Sequence, residues 1–338
     1  MDYDTQFHGT PMLTNALHKL LTPAEQVVNY TWRQIQESER FVSSSLDLMR
    51  FAVRAKAELV IERQIPRFII PSLQFSRAHI LQSQFGAEKY MQRANVEATI
   101  KPLKLKTDDN YELDGVSLVR TGQAARDQKA FVYFLANNEL WQQALPKLHE
   151  LFKRTGYNVY CYNYRGTGQA QACLPSEKQL VSDAEAQVRA LLTQAIAPAH
   201  IFLFGSHTLG GPIAILTAAA FADEGTAVNI VVDRAPRSIK AWVLHSTFYF
   251  KKSLADLFEH FSWKLDVSQS LSRLRGRVTV IKSKDSHALP YDVSIQSALD
   301  QIIPRPPVRE VELTPTAGDD HLRPLSDAEW VKLIEPRP

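Results

Sequence analysis

The stretch from Ile201 to Ala222 reads IFLFGSHTLGGPIAILTAAAFA, and it decides which fold this chain adopts. Its first four residues are bulky and apolar, a pattern typical of a strand buried in a parallel sheet. From Leu209 onward, small and aliphatic residues predict a helix whose first turn contains two glycines and a proline. The residues between predict a sharp turn, so that strand, turn and helix follow one another directly.

The composition limits the class of protein. The chain has 338 residues, of which 45% are hydrophobic, enough to bury one large core. Its net charge of +3 is too small to favour nucleic acid as a partner. The two cysteines, Cys161 and Cys173, lack the spacing of a metal site and are interpreted as free thiols in a reducing compartment. No metal or cofactor motif is apparent, and none is expected to be bound.

Two features bear on localisation. Met1 is followed by acidic residues instead of the basic and then apolar segments of a signal peptide. No charged side chain occurs between Arg189 and Asp223, but the turn, the glycine pair and the proline within this run favour a buried strand and helix over a membrane span. We therefore expect a cytoplasmic protein, or one exported without a cleavable signal peptide, for example into a host cell, with no transmembrane segment.

From Lys101 onward, apolar residues first alternate with a period of two and then mark alternating strands and helices. The turn cluster at residues 108–110 predicts a β-hairpin over 103–118. Strands are predicted at 131–135, 157–162, 201–204, 228–232, 278–283 and 308–313. Helices are predicted at 140–154, 179–195, 209–222, 293–302 and 327–334, and helical material is predicted at 237–261. Alternation of this kind specifies an α/β fold with a mostly parallel sheet flanked by helices.

Two helical stretches precede this region. Thr22, Pro23 and Glu25 form a helix start, and apolar residues then recur alternately every four and three positions, interrupted by Glu39 and Lys56. This stripe consists of Val28, Trp32, Ile35, Val42, Leu46, Met49, Val53 and Val60. A second helix is predicted at 71–93. We therefore divide the chain into an N-terminal helical extension, residues 1–95, and an α/β domain, residues 96–338. The extension is expected to pack on itself and the core; the alternative is a lid, or attachment to a membrane surface or a protein partner through residues 22–93.

Four places in the α/β domain carry a resemblance to a known family. They are the loop 136–139 after one predicted strand, the Asn-Tyr-Arg-Gly-Thr-Gly turn at 163–168 after the next, the stretch 201–222, and the late loops at 278–290 and 319–325. Here the chain resembles the α/β-hydrolase superfamily, especially its lipase-like, esterase-like and serine-peptidase-like members. It is also similar to the divergent hydrolase-fold effector proteins of intracellular bacteria. The resemblance implies the α/β-hydrolase fold.

The turn in the stretch 201–222 resembles the family's nucleophile elbow, whose pattern is G-x-S-x-G. Aligned without a gap, Thr208 takes the place of the nucleophile and Ser206 that of the first glycine. The elbow residue normally has a strained backbone, so the β-branched Thr208 is expected to cost roughly 1 to 3 kcal/mol. A register shifted by one residue puts His207 in the elbow and Leu209 where a glycine is needed, and we favour it less.

The resemblance also implies a catalytic triad in the chain order of the family. Thr208 would be the nucleophile, His321 the general base, and Asp285 the acid that orients the imidazole. Asp233, which follows an earlier predicted strand, remains an alternative acid.

The oxyanion site is expected to consist of backbone N–H groups. The resemblance assigns these to Leu209, after the elbow, and to Ala136, Asn137 and Asn138 in the first of the four loops. Arg165 and its glycine turn are interpreted as structural, although an arginine there could also contact an anionic substrate.

Two functions follow from these assignments. One is a lipase-like hydrolase of esters or thioesters, acting on a small-molecule or lipid acyl substrate. The other is a catalytically inactive pseudohydrolase that serves as a binding or effector scaffold. The second is motivated by three departures from the family pattern that occur together, at Ala136, Ser206 and Thr208.

Overall fold

The computed structural model describes residues 62–334 except 68, 94–97, 123, 125–126, 171–172, 246–250, 284–288, 304–306 and 315–322. In this part of the chain, eight strands form one sheet in the order β1-β2-β4-β3-β5-β6-β7-β8. The strands are β1 Ala98–Lys106, β2 Glu112–Arg120, β3 Ala130–Phe134, β4 Asn158–Tyr162, β5 Ile201–Ser206, β6 Asn229–Asp233, β7 Val278–Lys282 and β8 Val308–Glu312. β2 is antiparallel to both of its neighbours, and the pairs from β4 to β8 are parallel.

Helices connect the parallel strands. They are α1 Arg77–Arg93, α2 Trp141–Thr155, α3 Glu177–Thr193, α4 His207–Asp223, α5 Ile239–His245, α6 Lys251–His260, α7 Ile295–Leu299 and α8 Asp327–Ile334. The chain moves from β3 to β4 in one direction along the sheet and from β4 past β3 to β5 in the other. Because such crossovers are right-handed, α2 and α4 cover opposite faces, and the loops after β3 and β5 diverge at this switch point.

The core is the sheet interior, as the apolar strand sequences predict. Every residue of β3, β4 and β6 is buried, and the same holds for most of α4. The uncharged run that precedes Asp223 is therefore the strand β5 and the helix α4, packed inside a folded domain. Within the residues described above, no helix combines the length and the apolar character needed to cross a bilayer.

Two predicted helices differ from those observed. The helical material predicted over 237–261 is confirmed by α5 and α6, but the helix predicted at 293–302 spans only α7. The second N-terminal helix divides into a 3-10 turn, Pro71–Gln74, and α1. This division arises because the Ser76 hydroxyl accepts a hydrogen bond from the His79 N–H at 3.2 Å and so starts a new helix. The first predicted helix lies outside the described residues as far as residue 61. The described chain then starts with a helical stretch at 62–67.

Gly210 allows α4 to approach β3, and we expect its replacement by alanine to destabilise the protein. A Cβ atom at this position would lie 2.4 Å from the carbonyl oxygen of Phe134, so helix or strand must shift. The expected loss is about 1–3 kcal/mol in the free energy of unfolding, measured by urea denaturation. Gly86 in α1 is the matched control, because nothing lies within 4 Å of its added Cβ. Gly86→Ala should stabilise by about 0.5–1 kcal/mol, and equal effects of the two changes would contradict the packing argument.

Candidate active site

The turn between β5 and α4 has its left-handed residue at His207, where φ is 41°. Thr208 follows it within the first turn of α4. The predicted backbone strain at Thr208 is therefore wrong: a threonine in a helical conformation needs no strained φ, and the sharp turn falls one residue earlier.

The glycines explain why the turn falls there. A Cβ on Gly205 would lie 2.5 Å from both the carbonyl oxygen of Gly210 and the Cα of Gly211. Strand and helix thus touch through Gly205 and the glycine pair, and the strand runs on to Ser206 before it turns. The sequence offered two registers, and the less favoured one places the left-handed residue correctly.

The Thr208 hydroxyl meets the loop that follows β3. Its Oγ1 donates a hydrogen bond to Oδ1 of Asn137, with the two atoms 3.0 Å apart. The sequence assigned Asn137 a role only through its backbone N–H group; the structure adds its side chain as the partner of the hydroxyl. The contact joins the two loops that diverge at the switch point, at the carboxyl ends of neighbouring parallel strands.

The N-terminus of α4 presents backbone donors at the same place. Residue Ser206 precedes the helix and provides no side-chain cap. The first N–H groups of a helix lack intrahelical acceptors and carry the positive end of the helix dipole, so they favour developing negative charge. The N–H of Leu209, whose side chain is fully buried, belongs to this turn. The helix α4 is 17 residues long, and the positive end of its dipole lies at the site.

The loop after β3, residues 135–140, is held at both ends by two consecutive residues of the turn after β4. Tyr164 donates its hydroxyl hydrogen to the carbonyl oxygen of Leu135 at 2.6 Å. The Asn163 side-chain oxygen accepts from the N–H of Trp141 at 2.7 Å, where α2 begins. Ala136, Asn137 and Asn138 lie between these two points. Asn163 and Tyr164 belong to the Asn-Tyr-Arg-Gly-Thr-Gly motif. This motif stands out in the sequence, but the sequence did not predict that these two residues hold the loop after β3.

Arg165 in the same motif is structural. It is buried, and its guanidinium binds the carboxylates of Asp183 and Asp109 and stacks on the ring of Tyr111, 4.6 Å from its centroid. Its charge is therefore neutralised inside the protein, which leaves no role in contacting an anionic substrate.

Asp233, the alternative acid, is bound by its neighbour. Both of its carboxylate oxygens accept hydrogen bonds from Arg234, at 2.6 and 2.9 Å. Arg234 has a left-handed φ of 47° and also donates to the carbonyl oxygen of Arg323 at 3.0 Å. The end of β6 is thereby connected to the chain just before α8. Asp233 as the alternative acid stays a prediction.

Two members of the expected triad, Asp285 and His321, lie outside the described residues. Residues 315–322, which include His321, are flanked by Thr314 and Arg323. Glu329 accepts hydrogen bonds from both flanking residues. Glu329 accepts from the N–H groups of Thr314 and Ser326, both at 2.7 Å, and from Arg323 at 2.6 and 2.9 Å. Ser326 and Glu329 form the S-x-x-E start of α8, a sequence signal that was not used.

Glu329 is expected to make stability depend on pH. Burial by itself raises its pKa, but Arg323 and the N–H donors outweigh burial and lower the pKa from 4.5 to about 2. Because the folded pKa is lowered, this contribution is present above about pH 4.5 and is lost as the pH falls towards about 2. Glu329→Gln should therefore flatten the acid limb of a plot of urea midpoint against pH. A wild-type limb in Glu329→Gln would contradict the assignment.

Beside the candidate site, a cavity of about 360 Å³ lies at the carboxyl ends of β6, β7 and β8. Its lining includes Val232, Lys282, Gln296 and Glu310, and neither Thr208 nor Asn137 belongs to it. In the described part of the chain, no group of three His, Cys, Asp or Glu side chains is arranged to hold a metal ion.

Comparison with known proteins gives a family and a fold for the chain. A family model described as Chlamydia CHLPS protein (DUF818) matches residues 67–294. The chain belongs to this family. The region that matches the DUF818 family contains Asn137, Thr208 and Asp285, ends before His321, and begins ahead of α1. No curated protein sequence matches the chain.

Solved structures identify the fold of this DUF818 member. An alpha-beta hydrolase from Vibrio vulnificus is 17% identical, with a TM-score of 0.52 over 70% of this chain and 86% of that one. A hyperthermophilic esterase from the archaeon Pyrobaculum calidifontis is 14% identical, with a TM-score of 0.50 over 75% of this chain and 87% of that one. The predicted α/β-hydrolase fold is confirmed. The division of the chain at residue 95 stays a prediction.

Proposed function

We propose that this protein hydrolyses carboxylic esters or thioesters, with the Thr208 hydroxyl as nucleophile. The observation that carries the proposal is the position of this hydroxyl, 3.0 Å from Asn137 and beside the uncapped first turn of α4. A hydroxyl next to backbone donors is the combination that acyl transfer requires, because the carbonyl oxygen of the substrate gains negative charge as the nucleophile attacks.

The reaction would proceed in two steps. Thr208 Oγ1 forms a bond to the acyl carbon while His321 takes its proton, and the alkoxide or thiolate leaves with that proton. Water then attacks the acyl-threonine with His321 again as base, which releases the acid and restores the hydroxyl. Asp285 would orient His321. The N–H groups of Leu209 and of the loop after β3 would stabilise both tetrahedral intermediates, each donor contributing about 3–4 kcal/mol.

The direct test combines turnover with covalent labelling. The full chain is incubated with short-chain p-nitrophenyl esters and thioesters, and separately with a fluorophosphonate probe whose site of attachment is found by mass spectrometry. We expect turnover and a label on Thr208, and His321→Ala should slow both by on the order of 10²–10⁴-fold, as expected for a general base. His260→Ala is the control, because this histidine is exposed at the end of α6. Equal rates for the two histidine variants would reject the role of His321.

A second candidate is a pseudohydrolase that binds a partner without turnover. Two observations favour it: the left-handed position of the elbow belongs to His207, and the hydrogen of the Thr208 hydroxyl is already donated to Asn137. A folded protein that neither hydrolyses any ester of the panel nor reacts with the probe would support this candidate and exclude the first.

A further inference from the structure

The helix α1 has one face that packs on the domain. Ala87 is buried on this face, and the Tyr90 hydroxyl lies 2.8 Å from Nδ1 of His149 in α2. Gln84 accepts a hydrogen bond from Gln142 at 3.4 Å. These contacts fix the rotation of the helix about its axis, so its other side faces outward.

The outward side of α1 carries two large apolar side chains one turn apart. Leu81 is 54% exposed and Phe85 is 66% exposed. With Ala78 they occupy positions separated by three and four residues, which is the spacing of a helix-packing seam. The other large apolar residues exposed in the described part of the chain each stand alone on their element. They are Leu174, Leu244, Tyr291, Ile303 and Val331.

The described part of the chain starts near the beginning of α1. Residues 62–67 are helical, Ile65 and Ile69 are buried in the core, and Gln74 donates a hydrogen bond to the carbonyl oxygen of Arg67 at 2.9 Å. Because Gln74 lies three residues before α1, the helical stretch at 62–67, which directly follows residues 1–61 in the chain, ends close to the start of α1. They contain the apolar stripe from Val28 to Val60, which has the same alternation of three and four.

We propose that residues 28–60 pack their apolar stripe against the Leu81–Phe85 face of α1. The sequence of residues 28–60 predicts the narrow seam of helix-to-helix packing, and the Leu81–Phe85 face of α1 has the matching spacing and is exposed among the described residues. The segment belongs to the same chain, so its effective concentration at α1 is in the range of mM or higher, which favours it over a separate molecule. This proposal is independent of catalysis, since it involves no residue of the candidate active site.

Hydrogen–deuterium exchange on the full chain tests the proposal. In the wild type, the amides of residues 28–60 should be protected, independently of protein concentration. The double variant Leu81→Asp/Phe85→Asp should exchange at least about tenfold faster in this segment, while β5 keeps its protection and shows that the domain is folded. The matched control is Ile303→Asp/Val331→Asp, which places two charges at other exposed apolar positions and should leave the segment protected.

Several results would overturn the proposal. These are rapid exchange of residues 28–60 in the wild type, or protection that the Leu81→Asp/Phe85→Asp variant leaves unchanged. Protection that appears only as the protein concentration rises would assign the α1 face to a second copy. Protection that appears only with phosphatidylcholine–phosphatidylglycerol vesicles would assign it to a membrane surface.

Discussion

Thr208→Ala is expected to abolish fluorophosphonate labelling and to lower ester turnover by at least on the order of 10³-fold, as loss of a nucleophile does in acyl-transfer enzymes. The reason is that no solvent oxygen can replace a side-chain hydroxyl that Asn137 positions at the first turn of α4. Labelling rate and turnover with p-nitrophenyl esters measure the effect. Thr193→Ala, at an exposed threonine that ends α3, is the control and should behave as the wild type.

Thr208→Ser gives the complementary result. Serine keeps the hydroxyl and removes the methyl group that restricts χ1, so Oγ gains rotational freedom to reach an acyl carbon. We expect the serine variant to be labelled at least as fast as the wild type. If Thr208→Ala still reacts with the probe at this turn, the nucleophile is another residue. If Thr208→Ser does not react at all, the oxyanion donors are not in place.

Asp183→Ala is expected to destabilise the protein by about 3–5 kcal/mol in the free energy of unfolding. Asp183 is fully buried, and its removal leaves the charge of Arg165 without this partner inside the core. Urea denaturation followed by circular dichroism measures the loss. Asp109→Ala is the matched control on the same guanidinium: its side chain is half exposed, so the expected loss is only about 1 kcal/mol.

A double variant separates the cost of an unpaired charge from the value of the pair. Arg165→Met/Asp183→Leu removes both charges and should recover most of the stability lost in Asp183→Ala, because buried ion pairs are often replaced by apolar residues at little cost. A double variant that is less stable than Asp183→Ala would show that the pair itself contributes strongly.

The regular elements were predictable because their signals are local. Apolar runs at residues 131–135, 201–204 and 278–283 each became a central strand, and the Asp-Asp-Asn cluster became the turn between β1 and β2. The bounds of α8 also agree with the prediction, because its apolar spacing lies within one short segment. The helix at α7 was predicted too long, because apolar content by itself does not show where a helix stops.

The sequence by itself determined an α/β fold with a mostly parallel sheet and the strand, turn and helix of residues 201–222, and the resemblance of its loops implied the α/β-hydrolase fold and the place of Thr208 beside the loop after β3. Strand and helix periods act over a few residues, and the chain order of the loops fixes which of them meet at one edge of a parallel sheet. The tertiary structure alone decided that His207 takes the left-handed conformation, that Arg234 binds Asp233, and that Asn137 receives the Thr208 hydroxyl. These outcomes depend on backbone contacts between glycines and on partners that are distant in sequence. Thr208 and Asn137, for example, are 71 positions apart, and only folding brings them together.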